Sequence, residues 1–101
     1  MKIIIIGLGL IGGSIAKQLI LKNELTILAY DLNQQSIQNA LNNSNIHGAI
    51  ADLDDLKLPE YENSLIVIAT PPKVSLEILS SLSPLFNSSI TCLLYTSPSP
   101  R

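Results

Sequence analysis

The sequence has few of the residues on which several classes of protein depend. Its 101 residues include a single cysteine, Cys92, and a single arginine, Arg101. One cysteine can form no internal disulfide, and no apolar run is long enough to cross a membrane. The apolar start of the chain is ended almost at once by Gly7, unlike the core of a signal peptide. These absences predict a cytoplasmic protein that does not enter a membrane.

The charged residues are also few, and their arrangement excludes two kinds of site. The chain has six basic and eight acidic residues, and the lysines are scattered without interleaved aromatic residues, which argues against nucleic-acid binding. Asp52, Asp54 and Asp55 form the densest acidic group, but a glycine and a final glutamate, as in a calcium-binding loop, are missing. We therefore expect a solvated acidic connector there and no metal site.

The most informative segment is the glycine-rich stretch from Gly7 to Ser14, which reads GLGLIGGS. It follows the apolar run at residues 3–6 and precedes a helical pattern of apolar residues. A strand, a G-x-G-x-x-G turn and a helix in this order are typical of a dinucleotide-binding unit. A P-loop is excluded because no Gly-Lys-Ser/Thr run is present. The alternative is a glycine-rich corner that binds nothing.

Each glycine of the motif has a separate physical role. Gly7 allows a sharp turn off the strand, Gly9 leaves room for a diphosphate, and Gly12 allows the helix to pack closely on the strand. The first backbone amides of a helix have no partners within it and lie at its positive end, so they hold phosphate without a basic side chain. Ser14 has no base near it in sequence, so it is expected to bond to a phosphate or to the helix start rather than to act as a nucleophile.

Asp31 is the acid that the motif requires, nineteen residues after Gly12 at the end of the second apolar run. A carboxylate there accepts hydrogen bonds from the adenosine ribose and repels the 2′-phosphate of NADP. Neither of the next residues, Leu32 and Asn33, is cationic. The sequence therefore predicts NAD as cofactor. The alternative is that Asp31 is only a solvated acid at a strand end.

Apolar runs and helical patterns alternate along the chain. Strands are predicted at 3–6, 25–30, 47–51 and 64–69, with a fifth beginning at 88–91, and helices begin near residues 11, 34 and 72. The first helix is expected to end near Lys22, and Asn33 is the expected N-cap of the second. This alternation predicts an α/β fold of the Rossmann type, a doubly wound parallel sheet in the order 3-2-1-4-5 with an incomplete fifth strand.

Three segments together resemble the N-terminal domain of the prephenate/arogenate dehydrogenases of tyrosine biosynthesis. They are GLGLIGGS at 7–14, Tyr-Asp at 30–31 and Ile-Ala-Thr-Pro-Pro at 68–72. The resemblance covers residues 1–91. It implies an NAD-dependent oxidoreductase that performs an oxidative decarboxylation, with prephenate or arogenate as substrate and a parent enzyme that is a homodimer through a further helical domain. The cofactor-binding residues that the motif and the resemblance imply are Gly7, Leu8, Gly9, Leu10, Ile11, Gly12, Asp31, Ala69, Thr70 and Pro71.

The resemblance assigns no catalytic residue to this chain. The family's histidine and its substrate-binding arginine come after the fifth strand, and the one histidine here, His47, falls on the third predicted strand, far from the expected crevice. His47 is therefore expected to be structural, and the chain alone is expected to be inactive. Two other functions stay open: a regulatory NAD-binding module, and another small dehydrogenase of the β-hydroxyacid type.

The last ten residues differ in character from the rest. Residues 92–101, CLLYTSPSPR, resemble the translation of a transposase-type sequencing adaptor, although a flexible Ser/Pro-rich tail has a similar composition. We expect a partial dinucleotide-binding domain at 1–91 and a non-native tail at 92–101. Without that tail, five lysines against eight acids leave a formal charge of −3, and no cysteine remains.

Overall fold

The computed structural model describes residues 2–57, 64–70, 72–82 and 91–94. They form a parallel five-stranded sheet in the order β3-β2-β1-β4-β5, which confirms the predicted fold and strand order. The strands are β1 (Lys2–Ile6), β2 (Thr26–Tyr30), β3 (Gly48–Ala49), β4 (Leu65–Ile68) and β5 (Thr91–Leu94). The helices are α1 (Leu10–Leu19), α2 (Gln34–Asn42) and α3 (Pro72–Leu82), and a 3₁₀ helix covers Leu53–Lys57.

The sheet has a core on each face because neighbouring side chains of a strand point to opposite sides. Along β1, Ile3 and Ile5 pack with Ala16 of α1 and Ile37 of α2. Ile4 and Ile6 pack on the other face. Their partners there come from the 3₁₀ helix, β4 and α3, among them Leu56, Ile66, Ile68 and Ile78. Burial of each such side chain contributes about 2 kcal/mol. The run of isoleucines at 3–6 is explained by a central strand covered on both sides.

Helix α1 and strand β3 differ most from the sequence prediction. Helix α1 ends earlier than expected, since Ile20 caps it with a bond to Ala16 and the chain then turns through Lys22, leaving Leu21 exposed. Strand β3 is reduced to Gly48–Ala49. Strand β5 covers Thr91–Leu94 and so includes the first residues of the expected tail, while the predicted strand residues at 88–90 lie outside the described residues.

Helix α2 begins where the sequence predicts. Asn33 is its N-cap, and the side chain accepts a hydrogen bond of 2.9 Å from the amide of Gln35. The apolar spacing predicts a buried face of Ile37, Ala40 and Leu41; Ile37 and Ala40 are buried, whereas Leu41, at the end of the helix, is exposed. The cap fixes the point at which the chain leaves the edge of the sheet after Asp31.

Candidate functional site

The glycine turn begins directly after β1, at the carboxyl edge of the sheet. Gly7 has a φ of 101°, a conformation that side chains strongly disfavour. Its amide donates a 2.8 Å hydrogen bond to the carbonyl of Tyr30, and a Cβ at Gly7 would lie 2.9 Å from the carbonyl oxygen of Ala69. The turn is thus pressed between the ends of β2 and β4, and this position accepts only glycine.

Gly12 brings helix α1 against that turn. A Cβ on Gly12 would overlap the carbonyl oxygen of Gly7, and only backbone movement could relieve the overlap. Gly13 differs, since a Cβ there would meet nothing nearer than the Leu8 carbonyl oxygen at 3.8 Å. The fold therefore requires glycine at Gly12 and tolerates a side chain at Gly13.

Gly9 is the N-cap of α1 and faces open space. A Cβ on Gly9 would meet no atom within 4 Å, and no side chain caps this helix end. The first bond inside the helix runs from the Gly13 amide to the Gly9 carbonyl, so the amides of Leu10, Ile11 and Gly12 precede it. Uncapped amides at the positive end of a helix, beside open space, form the environment that favours an anion such as a diphosphate.

Asp31 connects the end of β2 to this turn. One carboxylate oxygen accepts a 2.7 Å bond from the amide of Leu8, and the other a 2.8 Å bond from the amide of Asn33. A carboxylate has about four acceptor positions, so about two remain for a ligand. The sequence predicts that Asp31 lies near the glycines. The structure adds that its carboxylate holds the glycine turn in place through the hydrogen bond from the Leu8 amide.

The loop after β4 closes the other side. Ala69 donates a 2.9 Å bond to the carbonyl of Ile6, and the Thr70 methyl group packs on Gly7. The Thr70 hydroxyl lies 2.7 Å from that of Ser75, which also donates a 2.9 Å bond to the Thr70 carbonyl. Pro71 lies outside the described residues, so its predicted contact with a cofactor stays a prediction.

These elements line one cavity of about 420 Å³ at the carboxyl edge. It brings together Gly7, Gly9, Asp31, Ala69 and Thr70 of the predicted set. Of the other predicted residues, Leu8 contributes the amide that Asp31 binds, and Gly12 supports the turn from behind. The remaining lining residues are Ile6, Tyr30, Leu32, Leu53, Val74, Glu77 and Ile78.

The cavity is apolar and acidic. Asp31 and Glu77 are the charged residues that line it, and within the described part of the chain no lysine, arginine or histidine does. A ligand must therefore present apolar surface and hydrogen-bond donors here, and its negative charge has to lie at the amides of the α1 end. A nucleotide with a neutral base and ribose beside a diphosphate has this distribution of charge.

Sequence reasoning missed the contribution of α3. Val74, Glu77 and Ile78 line the cavity, and Ser75, 1% exposed, holds Thr70. The helical spacing of Val74 and Ile78 was visible, but it indicated only a face that packs on the sheet. Nothing in the sequence shows that Ser75 faces inward, because a serine in a helix usually lies at the surface.

The remaining candidates lie elsewhere. His47 is beside Ile27, at the amino-terminal half of β2, and its Nδ1 accepts a 2.9 Å bond from the Ile27 amide. Ser14 is exposed on α1. Within residues 2–57, 64–70, 72–82 and 91–94, no three acidic, histidine or cysteine side chains cluster to hold a metal ion, and no helix is long and apolar enough to span a membrane.

Sequence comparison places the chain in a family. The family model described as "NADP oxidoreductase coenzyme F420-dependent" matches residues 2–91. The chain belongs to this family. It is thus part of an NAD(P)-dependent oxidoreductase family, as the glycine turn predicts. No curated protein is significantly similar to the chain.

Solved structures share the fold over nearly the whole chain. A prephenate dehydrogenase from A. aeolicus, in complex with hydroxyphenyl propionate and NAD+, has a TM-score of 0.75 and 24% identity over 93% of this chain. A second structure of prephenate dehydrogenase from Aquifex aeolicus has a TM-score of 0.73 and 24% identity over 91% of it. An arogenate dehydrogenase from Synechocystis has a TM-score of 0.69 and 26% identity over 93%.

The resemblance predicted from the motifs is confirmed by the arogenate dehydrogenase at 26% identity, and the two structures at 24% identity share the same fold. The chain covers 33%, 34% and 31% of their respective lengths. The chain therefore spans about one third of the length of these structures.

Proposed function

We propose that this chain is the NAD-binding portion of a prephenate or arogenate dehydrogenase. The observation that carries the proposal is one cavity in which the open, uncapped end of α1 faces Asp31 and the loop at Ala69 and Thr70. These residues fit a dinucleotide: amides of 10–12 for the diphosphate, and the free acceptor positions of Asp31 for ribose hydroxyls. The nicotinamide ring supplies hydride acceptance when it is bound.

Asp31 favours NAD over NADP, although the family description names NADP. A 2′-phosphate beside this carboxylate would meet like charge, and no cation among the described lining residues would offset it. The carboxylate cannot turn away easily, because the amides of Leu8 and Asn33 hold both of its oxygens. The acid that selects the cofactor is thus fixed in place by the turn that binds it.

The substrate and the chemistry belong to the whole enzyme. The proposed reaction is oxidative decarboxylation of prephenate or arogenate in tyrosine biosynthesis, in a cytoplasmic homodimer, with the substrate-binding side supplied by the remainder of the protein. His47 has no part in it, because it lies at the other end of β2 from Asp31. We further propose that the native domain of this chain is 1–91; the match of the family model to residues 2–91 supports this.

The test compares the binding of NADH and of NADPH to the full chain. Binding is detected by the fluorescence of the reduced nicotinamide ring. We expect NADH to bind at least about tenfold more tightly, equivalent to about 1.4 kcal/mol. In Asp31→Asn, the ratio of the two affinities is expected to fall toward one, because the repelling charge is gone. A ratio does not depend on the fraction of chain that is folded, so loss of stability in the variant does not distort it.

Asp52→Asn is the matched control. Asp52 also accepts a hydrogen bond from the amide two residues later, at 2.8 Å, but it does not line the cavity. Its ratio should equal that of the unmodified chain. Equal affinity of that chain for both nucleotides would refute selection by Asp31, and absence of binding to either would refute the dinucleotide site. The sequence downstream in the source genome tests the parent enzyme: a chain that ends soon after β5 would contradict it.

A further inference from the structure

Thr70 and Ser75 form a pair of hydroxyls whose hydrogens can be assigned. Ser75 Oγ lies 2.9 Å from the Thr70 carbonyl oxygen, and the two hydroxyl oxygens are 2.7 Å apart. A carbonyl oxygen only accepts, so Ser75 donates its one hydrogen to it. The hydrogen in the second bond must then come from Thr70. The Thr70 hydroxyl therefore has no hydrogen left, but both of its lone pairs can still accept.

This order of bonds decides what Thr70 can bind. It lines the cavity with Gly7 and Ala69, and its methyl group packs on Gly7, which restricts rotation of the side chain. Ser75 is 1% exposed, so water competes little for its hydroxyl. A phosphate oxygen at pH 7 has no hydrogen to donate. Thr70 is therefore unsuited to a diphosphate, the usual partner of a hydroxyl beside a glycine-rich turn, and suited to an N–H or O–H donor.

The sheet order shows which half of a dinucleotide meets Thr70. Asp31 follows β2 and Thr70 follows β4, and β1 lies between these strands. Neighbouring strands are about 4.8 Å apart, so the two residues are separated by about 10 Å. Ribose hydroxyls bound to Asp31 are beyond the reach of Thr70. The donor must come from the nicotinamide half, which offers ribose hydroxyls and the carboxamide NH₂.

We propose that Ser75 is a positioning residue that makes Thr70 an acceptor-only contact for a hydrogen-bond donor on the nicotinamide half of the cofactor. The inference rests on the proposed NAD site and adds a residue and a direction of hydrogen bonding to it. A purely structural pair would only fasten the start of α3 to the loop after β4. The two roles can be distinguished by measurement. Only the positioning role changes the affinity for ligands that have the nicotinamide half relative to ligands that lack it.

The experiment compares NADH with ADP, which has the adenosine and the diphosphate but lacks the nicotinamide half. The quantity measured is the ratio of their affinities for the full chain, which is independent of the folded fraction. We expect Thr70→Val to lower this ratio about fivefold to tenfold, the loss of one hydrogen bond of about 1 kcal/mol or slightly more. Ser75→Ala should lower it similarly with Thr70 still present, whereas Thr70→Ser, which keeps the hydroxyl, should preserve it.

The dinucleotide with 3-acetylpyridine in place of nicotinamide identifies the donor, because it lacks the carboxamide NH₂. If Thr70→Val weakens NADH and not this analogue, the carboxamide is the donor; if it weakens both, the donor is a ribose hydroxyl. Equal losses for NADH and ADP would overturn the proposal in favour of a phosphate contact or a structural role. An unchanged ratio in Ser75→Ala would also overturn it. Failure of the unmodified chain to bind either ligand would instead refute the proposed function.

Discussion

The two ends of β2 have the same local chemistry and different roles. At the carboxyl end, Asp31 accepts backbone amides from Leu8 and Asn33. Toward the amino end, His47 accepts the backbone amide of Ile27. Each is a polar side chain that completes the hydrogen bonding of a strand. Only Asp31 borders a cavity lined by the glycine turn and the loop after β4.

Strand direction explains the difference. All described strands are parallel, so the loops after β1, β2 and β4 meet at one edge, and the glycine turn, Asp31 and Thr70 meet with them. His47 precedes β3, so it belongs to the opposite edge, where its bond supports a short strand. The end of the strand at which a polar residue lies, more than its type, therefore decides whether it belongs to the candidate site or only makes a structural hydrogen bond.

The largest effect is expected from a substitution in the glycine turn, whose Leu8 amide donates a hydrogen bond to Asp31. In Gly12→Ala, the new Cβ would overlap the Gly7 carbonyl oxygen, so the helix and the turn must separate. We expect a loss of at least about 3 kcal/mol in the free energy of unfolding, at the upper end for overpacking, and loss of NADH binding. Urea denaturation followed by circular dichroism and an NADH titration provide the two measurements.

Gly13→Ala is the control for that variant, one residue along the same helix. The added methyl group meets only the Leu8 carbonyl oxygen, at 3.8 Å, and alanine favours a helix over glycine by up to about 1 kcal/mol. The free energy of unfolding should therefore stay equal or rise. Similar destabilisation by both substitutions would show that the close approach of Gly12 to Gly7 is not what the turn depends on.

A smaller effect is expected at the other end of β2. His47→Ala leaves the Ile27 amide without its acceptor, and we expect a loss of about 1 kcal/mol in the free energy of unfolding. His47→Asn should recover most of this loss, because the amide oxygen of asparagine can replace Nδ1. Neither variant should change the ratio of NADH to NADPH affinity. A change in that ratio would contradict the separation of the two strand ends.

The sequence predicted the parts of the site that depend on backbone conformation. Gly7 and Gly12 are required because a side chain would be strained or would overlap, and such positions permit one residue type. Asp31 follows from the same motif. The contributions of Ser75 and Glu77 depend on how α3 lies over the carboxyl edge, a tertiary arrangement that helical periodicity does not specify. The short length of β3 is likewise not specified by the sequence pattern, because it depends on pairing with β2 at Leu28 and Ala29.

The smallest expected effect concerns Asn33, which joins the carboxyl end of β2 to α2. Its amide donates to Asp31, and its side chain accepts from the Gln35 amide at 2.9 Å. Asn33→Ala removes the cap and keeps the amide. Because the cap bond is exposed, we expect a loss of only about 0.5 kcal/mol in the free energy of unfolding, measured by urea denaturation, with the NADH:NADPH ratio unchanged. Asn33→Ser, which can cap equally well, should be close to neutral. If Asn33→Ala alters the ratio, the cap also orients the Asp31 carboxylate. Asn33 would then belong to the site, although it does not line the cavity.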